Sequence, residues 1–311
     1  MGSLDEAIAA LADSRGRRMV TRGEVLALGG SDDEIEWRVE HRRWTRLHDA
    51  VYLVGVGAPS WEERVLAACL AGGATAVASH RAAIRLWGLD GLASAPVEVT
   101  VVHSTQVVIE GAVVHRSRRL EPIRWIRGIP VTSPERTLLE SGAIVPPVVT
   151  EKAFASAWRA GATSPEKCLA YCRDCGGKGR TGTRRLREIA AQYADGHRAP
   201  GSAAEVLLWR MLTPALADAG IEMPIRQFEI PLRDGSVAVV DSCWPLRRKV
   251  VEVAGLAFHG DIRSHDYDVE REAAIEEAGY QVRTVTPRAL VDRPTSTIAS
   301  LLRFLGGPVR P

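Results

Sequence analysis

Val237-Ala238-Val239-Val240-Asp241-Ser242-Cys243-Trp244-Pro245-Leu246-Arg247-Arg248-Lys249-Val250-Val251-Glu252-Val253 reads as two β-rich strands around a proline turn. Upstream, Ser202 to about Ala219 carries a helical apolar stripe, and Ile225 to Leu232 reads as a further strand. Downstream come a charged helix, Asp266 to Ala278, and a strand, Gln281 to Val285. The order helix, strand, strand, strand, helix, strand predicts an α/β unit of about a hundred residues, long enough to fold alone.

Two acids stand out in these strands. With the hairpin centred near Pro245, Asp241 faces about Val250 and Glu252 is its diagonal neighbour on the same face, about 7–8 Å away between backbones. The flanking residues are apolar on both faces, so an unpaired carboxylate there costs several kcal/mol unless a cation joins it. Hard divalent cations such as Mg²⁺ suit such oxygen donors. The other reading is a turn-capping Asp241 and an edge Glu252 paired with Arg247 or Arg248. Glu205 occupies the third position of a capping box opened by Ser202, which accounts for it structurally, but it also lies on the buried stripe with Leu208 and Leu212. His259 follows Gly255 and a short apolar stretch, where a neutral imidazole serves either as a general base toward water or as an ordinary core or surface residue.

Taken in order, Ser202-Ala203-Ala204-Glu205, Val240-Asp241, Val251-Glu252-Val253-Ala254-Gly255, Phe258-His259, Asp268, Arg271-Glu272 and Gly279-Tyr280-Gln281-Val282 resemble the nuclease domain of the very short patch repair (Vsr-like) endonucleases. That family lies within the restriction-endonuclease-like superfamily, and the resemblance spans about residues 201–305. It implies a phosphodiesterase core dependent on Mg²⁺ or Mn²⁺, with Asp241 and Glu252 as metal ligands, Glu205 as a supporting acid and His259 as the base. One departure is Ala254, where the superfamily often has lysine and the nearest relatives aspartate. Lys249 is an odd number of residues from Glu252 and does not replace it on the same sheet face.

The N-terminal segment carries two capping boxes in succession, Thr21-Arg22-Gly23-Glu24 and Ser31-Asp32-Asp33-Glu34, separated by Gly29-Gly30. A helix from Leu4 to about Ala12, a short helix after Thr21 and a longer one from Asp32 to Arg43 make a helix-turn-helix pattern. Trp44 to Leu47 and Val51 to Val54 flank His48-Asp49 as a wing would. With Ser79-His80-Arg81-Ala82-Ala83 and Leu86-Trp87-Gly88-Leu89, residues 19–55 are similar to the winged helix and following domain of the abortive-infection type IV antitoxins. The resemblance implies double-stranded DNA as a partner. Arg38, His41, Arg42, Arg43 and Arg46 are the candidate contacts, opposed by Asp32, Asp33, Glu34 and Glu36 in the first turns. The competing use of such a module is protein docking.

The rest of the chain bounds these readings. At 311 residues, with 40 Lys+Arg against 38 Asp+Glu and 46 % apolar content, it is neither a disordered nor a basic-tail protein. All basic residues except Lys152, Lys167, Lys178 and Lys249 are arginines, as in proteins of GC-rich bacterial genomes. Val65 to Ser79 is too short and too rich in Ala and Gly to span a bilayer, and the N-terminus has no signal-peptide pattern, so a cytoplasmic protein without a membrane partner is expected. Cys168, Cys172 and Cys175 have the spacing of an iron–sulfur site but lack a fourth ligand close by, and read as reduced thiols. In the middle region Val97 to Val102 and Val107 to Val114 are strands, Pro134 to about Ala191 is helical, and 194–201 is the linker. The expectation is a multidomain α/β protein: a winged helix over 1–56, a mixed α+β domain over 57–198 and a restriction-endonuclease-like core over 199–311. Its function is then Mg²⁺-dependent DNA cleavage in repair or in defence against foreign DNA, or else non-enzymatic DNA-binding regulation of antitoxin type with a degenerate nuclease fold. Neither a partner toxin nor a homo-oligomer is indicated.

Overall fold

A computed structural model describes residues 2–14, 18–120, 122–175, 181–193, 200–254 and 262–306, with the backbone alone for 2, 3, 181 and 262–269. The chain is mixed α/β, with three sheets and thirteen α-helices among the described residues. It divides into two compact units, Met1–Pro146 with Lys167–Arg187, and Pro147–Glu166 with Glu188–Pro311. The boundaries differ from the three consecutive segments expected: residues 147–166 belong to the second unit because their helix packs on the long helix that opens the 203–306 region. The expected linker 194–201 lies outside the described residues except for 200 and 201. No described helix is long and apolar enough to cross a membrane.

The first unit opens with α1 (Gly2–Ser14), β1 (Met19–Thr21), α2 (Arg22–Ala27), α3 (Asp32–Glu40), β2 (Trp44–His48) and β3 (Val51–Val54). Both capping boxes form, Thr21 with Glu24 and Ser31 with Glu34, each side chain satisfying the other residue's amide. β2 and β3 make the expected hairpin, and β1 adds a third strand in the order β1-β3-β2. Ile8, Val20, Val25, Ile35, Trp44 and Tyr52 form the core of this part. α3 is shorter than expected, since His41 caps it and Arg42 adopts a left-handed backbone, φ 54°.

The unit continues with α4 (Trp61–Ala71), β4 (Val77–Ala78), α5 (His80–Leu86), β5 (Val97–Val102), β6 (Ala112–Ser117), β7 (Ile123–Ile126), β8 (Ile129–Thr132) and α6 (Pro134–Ser141). The five strands order as β6-β5-β4-β8-β7. The strand expected from Val107 starts instead at Ala112, after Gly111 at φ 73°, and pairs parallel with β5. Then come α7 (Pro147–Arg159), α8 (Pro165–Cys175) and α9 (Thr181–Ala191).

In the second unit follow α10 (Ala203–Ala219), β9 (Ile225–Pro231), β10 (Val237–Trp244), β11 (Lys249–Val253), α11 (Ile262–Glu277), β12 (Gln281–Val285), α12 (Pro287–Asp292) and α13 (Pro294–Leu305). The sheet order is β12-β11-β10-β9, with β11 and β12 parallel and the other pairs antiparallel. Both faces are covered, as the apolar strands require. Leu208, Leu212 and Leu216 of α10 pack with Trp244, Val251 and Leu301 on one face, while Ile275 of α11 packs with Val240, Cys243 and Val250 on the other.

Candidate active site

Glu205 enters from the first turn of α10. The Ser202 hydroxyl accepts the Glu205 N–H at 3.0 Å, but the carboxylate does not return to the cap. It accepts instead from Gly201 N–H at 2.5 Å and from Gln227 Nε2 at 3.3 Å. The capping box therefore does not account for this residue, which is 1 % exposed. Burial, and then the neighbouring Asp241 charge, push its pKa up to about 7.

Asp241 stands where the β10–β11 ladder ends. The pairs Ser242↔Val251, Cys243↔Val250 and Trp244↔Lys249, continued by one step, set Asp241 opposite Glu252 rather than opposite Val250. The turn is the reason: Pro245–Arg247 form a 3₁₀ turn and Arg248 is left-handed at φ 54°, so the hairpin centres between Leu246 and Arg247. Asp241 Oδ2 accepts the Val253 N–H at 2.9 Å, and Oδ1 accepts from Gln227 Nε2 at 3.4 Å. Burial, followed by the Glu252 charge, raises its pKa against the opposing effect of the Val253 amide.

Gln227 is the residue that sequence reasoning missed. Its amide is shared between Glu205 and Asp241, and its backbone is left-handed at φ 50° within β9. Such a conformation costs a non-glycine residue on the order of 1–3 kcal/mol and is retained where the surroundings over-determine it. In a regular strand Arg226 and Gln227 face opposite sides of the sheet. Here both reach α10, Gln227 at Glu205 and Arg226 with its guanidinium 4.2 Å from the Trp209 ring centroid. A signal existed: counting back from the Asp234-Gly235 turn, where Leu232 N–H bonds Ser236, places Gln227 across from Asp241.

Glu252 is held from α11. Its two oxygens accept from Arg271 at 2.9 and 3.0 Å, and Arg271 also donates to the Val239 carbonyl at 2.6 Å. The alternative partners are engaged elsewhere, Arg247 with Glu222 at 2.7 Å and Arg248 over the Tyr280 ring. His259 lies outside the described residues.

For a divalent cation the donor chemistry fits. Mg²⁺ is usually held by one or two carboxylates together with water and substrate phosphate, and Glu205 and Asp241 offer hard oxygens whose mutual repulsion a cation relieves. Glu252 joins such a set when Arg271 releases it. As arranged, no three His, Cys, Asp or Glu among the described residues form a metal site on their own. Cys168, Cys172 and Cys175 form no disulfide among the described residues, and the first two are buried.

Replacing Gln227 by leucine is expected to raise the Glu205 pKa above about 7, because the amide bond stabilises the charged carboxylate. Carboxyl NMR titration reads it. Since Glu205 already binds its proton more tightly when folded, its contribution to stability falls as pH rises from 4.5 through about 7.

The candidate DNA contacts divide. Arg38 is turned inward: it is 4 % exposed, bonds Asp5 at 2.7 Å and the Glu34 carbonyl at 2.9 Å, and lies over the Trp44 ring. Its place on the buried side of α3 corrects its assignment as a DNA contact. His41, Arg42, Arg43 and Arg46 are exposed. His41 stacks on Trp37, Arg43 lies over the same ring, and Arg46 pairs with Glu36.

No protein-family model and no curated protein sequence matches this chain. Among solved structures, the Rv2827c protein from Mycobacterium tuberculosis is similar to it at a TM-score of 0.41 and 14 % identity, over 67 % of this chain and 80 % of that one.

Proposed function

We propose that the second unit is a Vsr-like, restriction-endonuclease-like domain that hydrolyses phosphodiesters of DNA with a divalent cation, and that the first unit begins with a winged helix that engages the duplex. The observation that carries this reading is the gathering of Glu205, Asp241 and Glu252 where the β10–β11 ladder ends, with one amide shared by the first two. A divalent cation bound to such carboxylates supplies a Lewis acid and a water of lowered pKa. Glu205, titrating at about 7, exchanges a proton readily at neutral pH. The Gln227 amide donates to the carboxylates of both Glu205 and Asp241, and Arg271 fixes Glu252. His259 is the proposed base. Incubation of plain, mismatched and modified duplexes with Mg²⁺ or Mn²⁺ tests the reading: strand cleavage abolished by chelation supports it, and intact DNA on every substrate opposes it.

A second reading is a DNA-binding regulator of antitoxin type. The observation favouring it is that Glu252 is already neutralised by Arg271, with alanine at 254. Retarded DNA migration without cleavage on any substrate would select it. Both readings expect Arg42→Ala with Arg43→Ala to weaken binding and flatten its salt dependence, by about 0.9 in log–log slope for each phosphate no longer neutralised. Binding titrations over a salt series measure this, and an unchanged slope removes the winged helix from the interface.

A further inference from the structure

A cavity of about 550 Å³ opens within the second unit, on the side of α10 that carries Val206, Trp209 and Pro214. Its wall holds Arg226, whose charge acts on the Glu205 carboxylate and whose side chain hydrogen-bonds Tyr193. The Arg226 guanidinium lies between the rings of Trp209 and Tyr193, 4.2 and 5.1 Å from their centroids, and makes no ion pair among the described residues. Arg210, the other arginine of the wall, is matched by Glu151 at 3.0 Å. Two buried donors, Arg226 Nη1 and Trp209 Nε1, have no hydrogen-bond partner among the described residues. Pro214 has no N–H, so the Arg210 carbonyl lacks its helical donor on the same stretch of α10. A half-buried guanidinium whose Nη1 is buried without a partner, beside the unpartnered indole N–H of the buried Trp209, favours an oxyanion, and the volume lies within the range of small-molecule sites.

We propose that this cavity is a nucleotide pocket, in which Arg226 and Trp209 take the phosphate of a nucleoside monophosphate unit and Val206, Pro214, Met223 and Pro224 hold its base and sugar. Phosphate as the oxyanion rests on the phosphodiesterase reading, because Val206 and Arg226 directly follow and precede Glu205 and Gln227 of the candidate active site. The unit is either free or part of a strand.

Calorimetry of the full chain with dTMP, thymidine and inorganic phosphate tests it. dTMP should bind at least about tenfold more tightly than thymidine, and Arg226→Met should remove that advantage. Met223→Trp fills the cavity from a wall position that is 49 % exposed, with Arg226 intact, and should weaken dTMP binding as much. Competition by a single-stranded oligonucleotide assigns the unit to a strand, and its absence assigns a free nucleotide. No dTMP binding by a wild-type protein that cleaves DNA overturns the pocket and keeps the cleavage reading. dTMP binding by a protein that cleaves nothing keeps the pocket and overturns that reading. Equal binding of dTMP and thymidine, or full dTMP affinity in both variants, overturns the proposal.

Discussion

Mg²⁺ or Mn²⁺ is expected to stabilise the wild-type protein against heat, and Asp241→Asn to abolish that response. Removing this charge leaves Glu205, held by Gly201 and Gln227, as the carboxylate to meet a cation, since both oxygens of Glu252 are engaged by Arg271. A cation at a hundredfold its dissociation constant stabilises a folded protein by about 2.7 kcal/mol, so the missing response is large enough to read in a melting curve. The same substitution is expected to lower the Glu205 pKa from about 7, because the Asp241 charge is second only to burial in raising it. That shift is opposite in sign to the one expected for Gln227→Leu. DNA cleavage is expected to disappear with the metal response, whereas His259→Ala should slow it by about 10²–10⁴, the usual worth of a positioned base. A metal-induced shift that survives Asp241→Asn would place the ion elsewhere.

The second large effect is expected far from these carboxylates. Glu98 of β5 is fully buried, accepts the Arg81 N–H at 2.8 Å and the Arg81 guanidinium at 2.7 and 3.1 Å, and lies 3.4 Å from His115 Nε2. Ser79 makes no side-chain cap to α5, so the Glu98 carboxylate supplies the missing acceptor at that helix start. These bonds outweigh its burial and hold its pKa down at about 2 instead of 4.5. The folded state therefore binds this proton less tightly than the unfolded one. The stabilisation is fully present above pH 4.5 and is lost as pH falls toward 2. At 1.36 kcal/mol per unit the shift corresponds to about 3 kcal/mol, and Glu98→Gln is expected to forfeit about that much at pH 7. His80 stacks on His115 and is held down to about 3, by burial first and the His115 charge second. It too binds its proton less tightly when folded, so its share of stability fades from pH 6.5 down to about 3. Denaturant unfolding between pH 7 and 3 should show a smaller acid loss in Glu98→Gln than in the wild type, the difference being the Glu98 share. Equal stability of the two proteins at pH 7 would show that Glu98 contributes nothing net.

Much of the second unit was legible because its strands are apolar and bounded by turn residues. Lys249–Val253 and Gln281–Val285 fall where the sequence placed them, and α10 begins after Ser202 as the capping residue indicates. Register was harder to read. Pro245 suggested the centre of the hairpin, yet the left-handed Arg248 moved it toward Arg247 and set Asp241 across from Glu252. Gln227 was hidden for a related reason, since glutamine gives no warning of a positive φ and strand alternation assigns it the wrong face. Glu205 carried a sufficient local explanation in its capping box, and only the contacts of its carboxylate set that explanation aside. In the first unit β4, β7 and β8 escaped notice because strands of two and four residues are too short for periodicity to register. Arg38 shows the same limit on a helix: the expected helix to Arg43 carried it beside Arg42 as a candidate contact, but the left-handed Arg42 lies beyond the end of α3 while Arg38 reaches back to Asp5.

The central claim is that the carboxylates around Asp241 cut DNA with a bound cation. Its most direct test is nicking of supercoiled plasmid in Mn²⁺ by wild type and by Asp241→Asn, at concentrations where both bind the DNA equally. The account predicts relaxed circles with the wild type, none with the variant, and none with the wild type after chelation. Equal nicking by the two proteins, or intact plasmid with both, would contradict it.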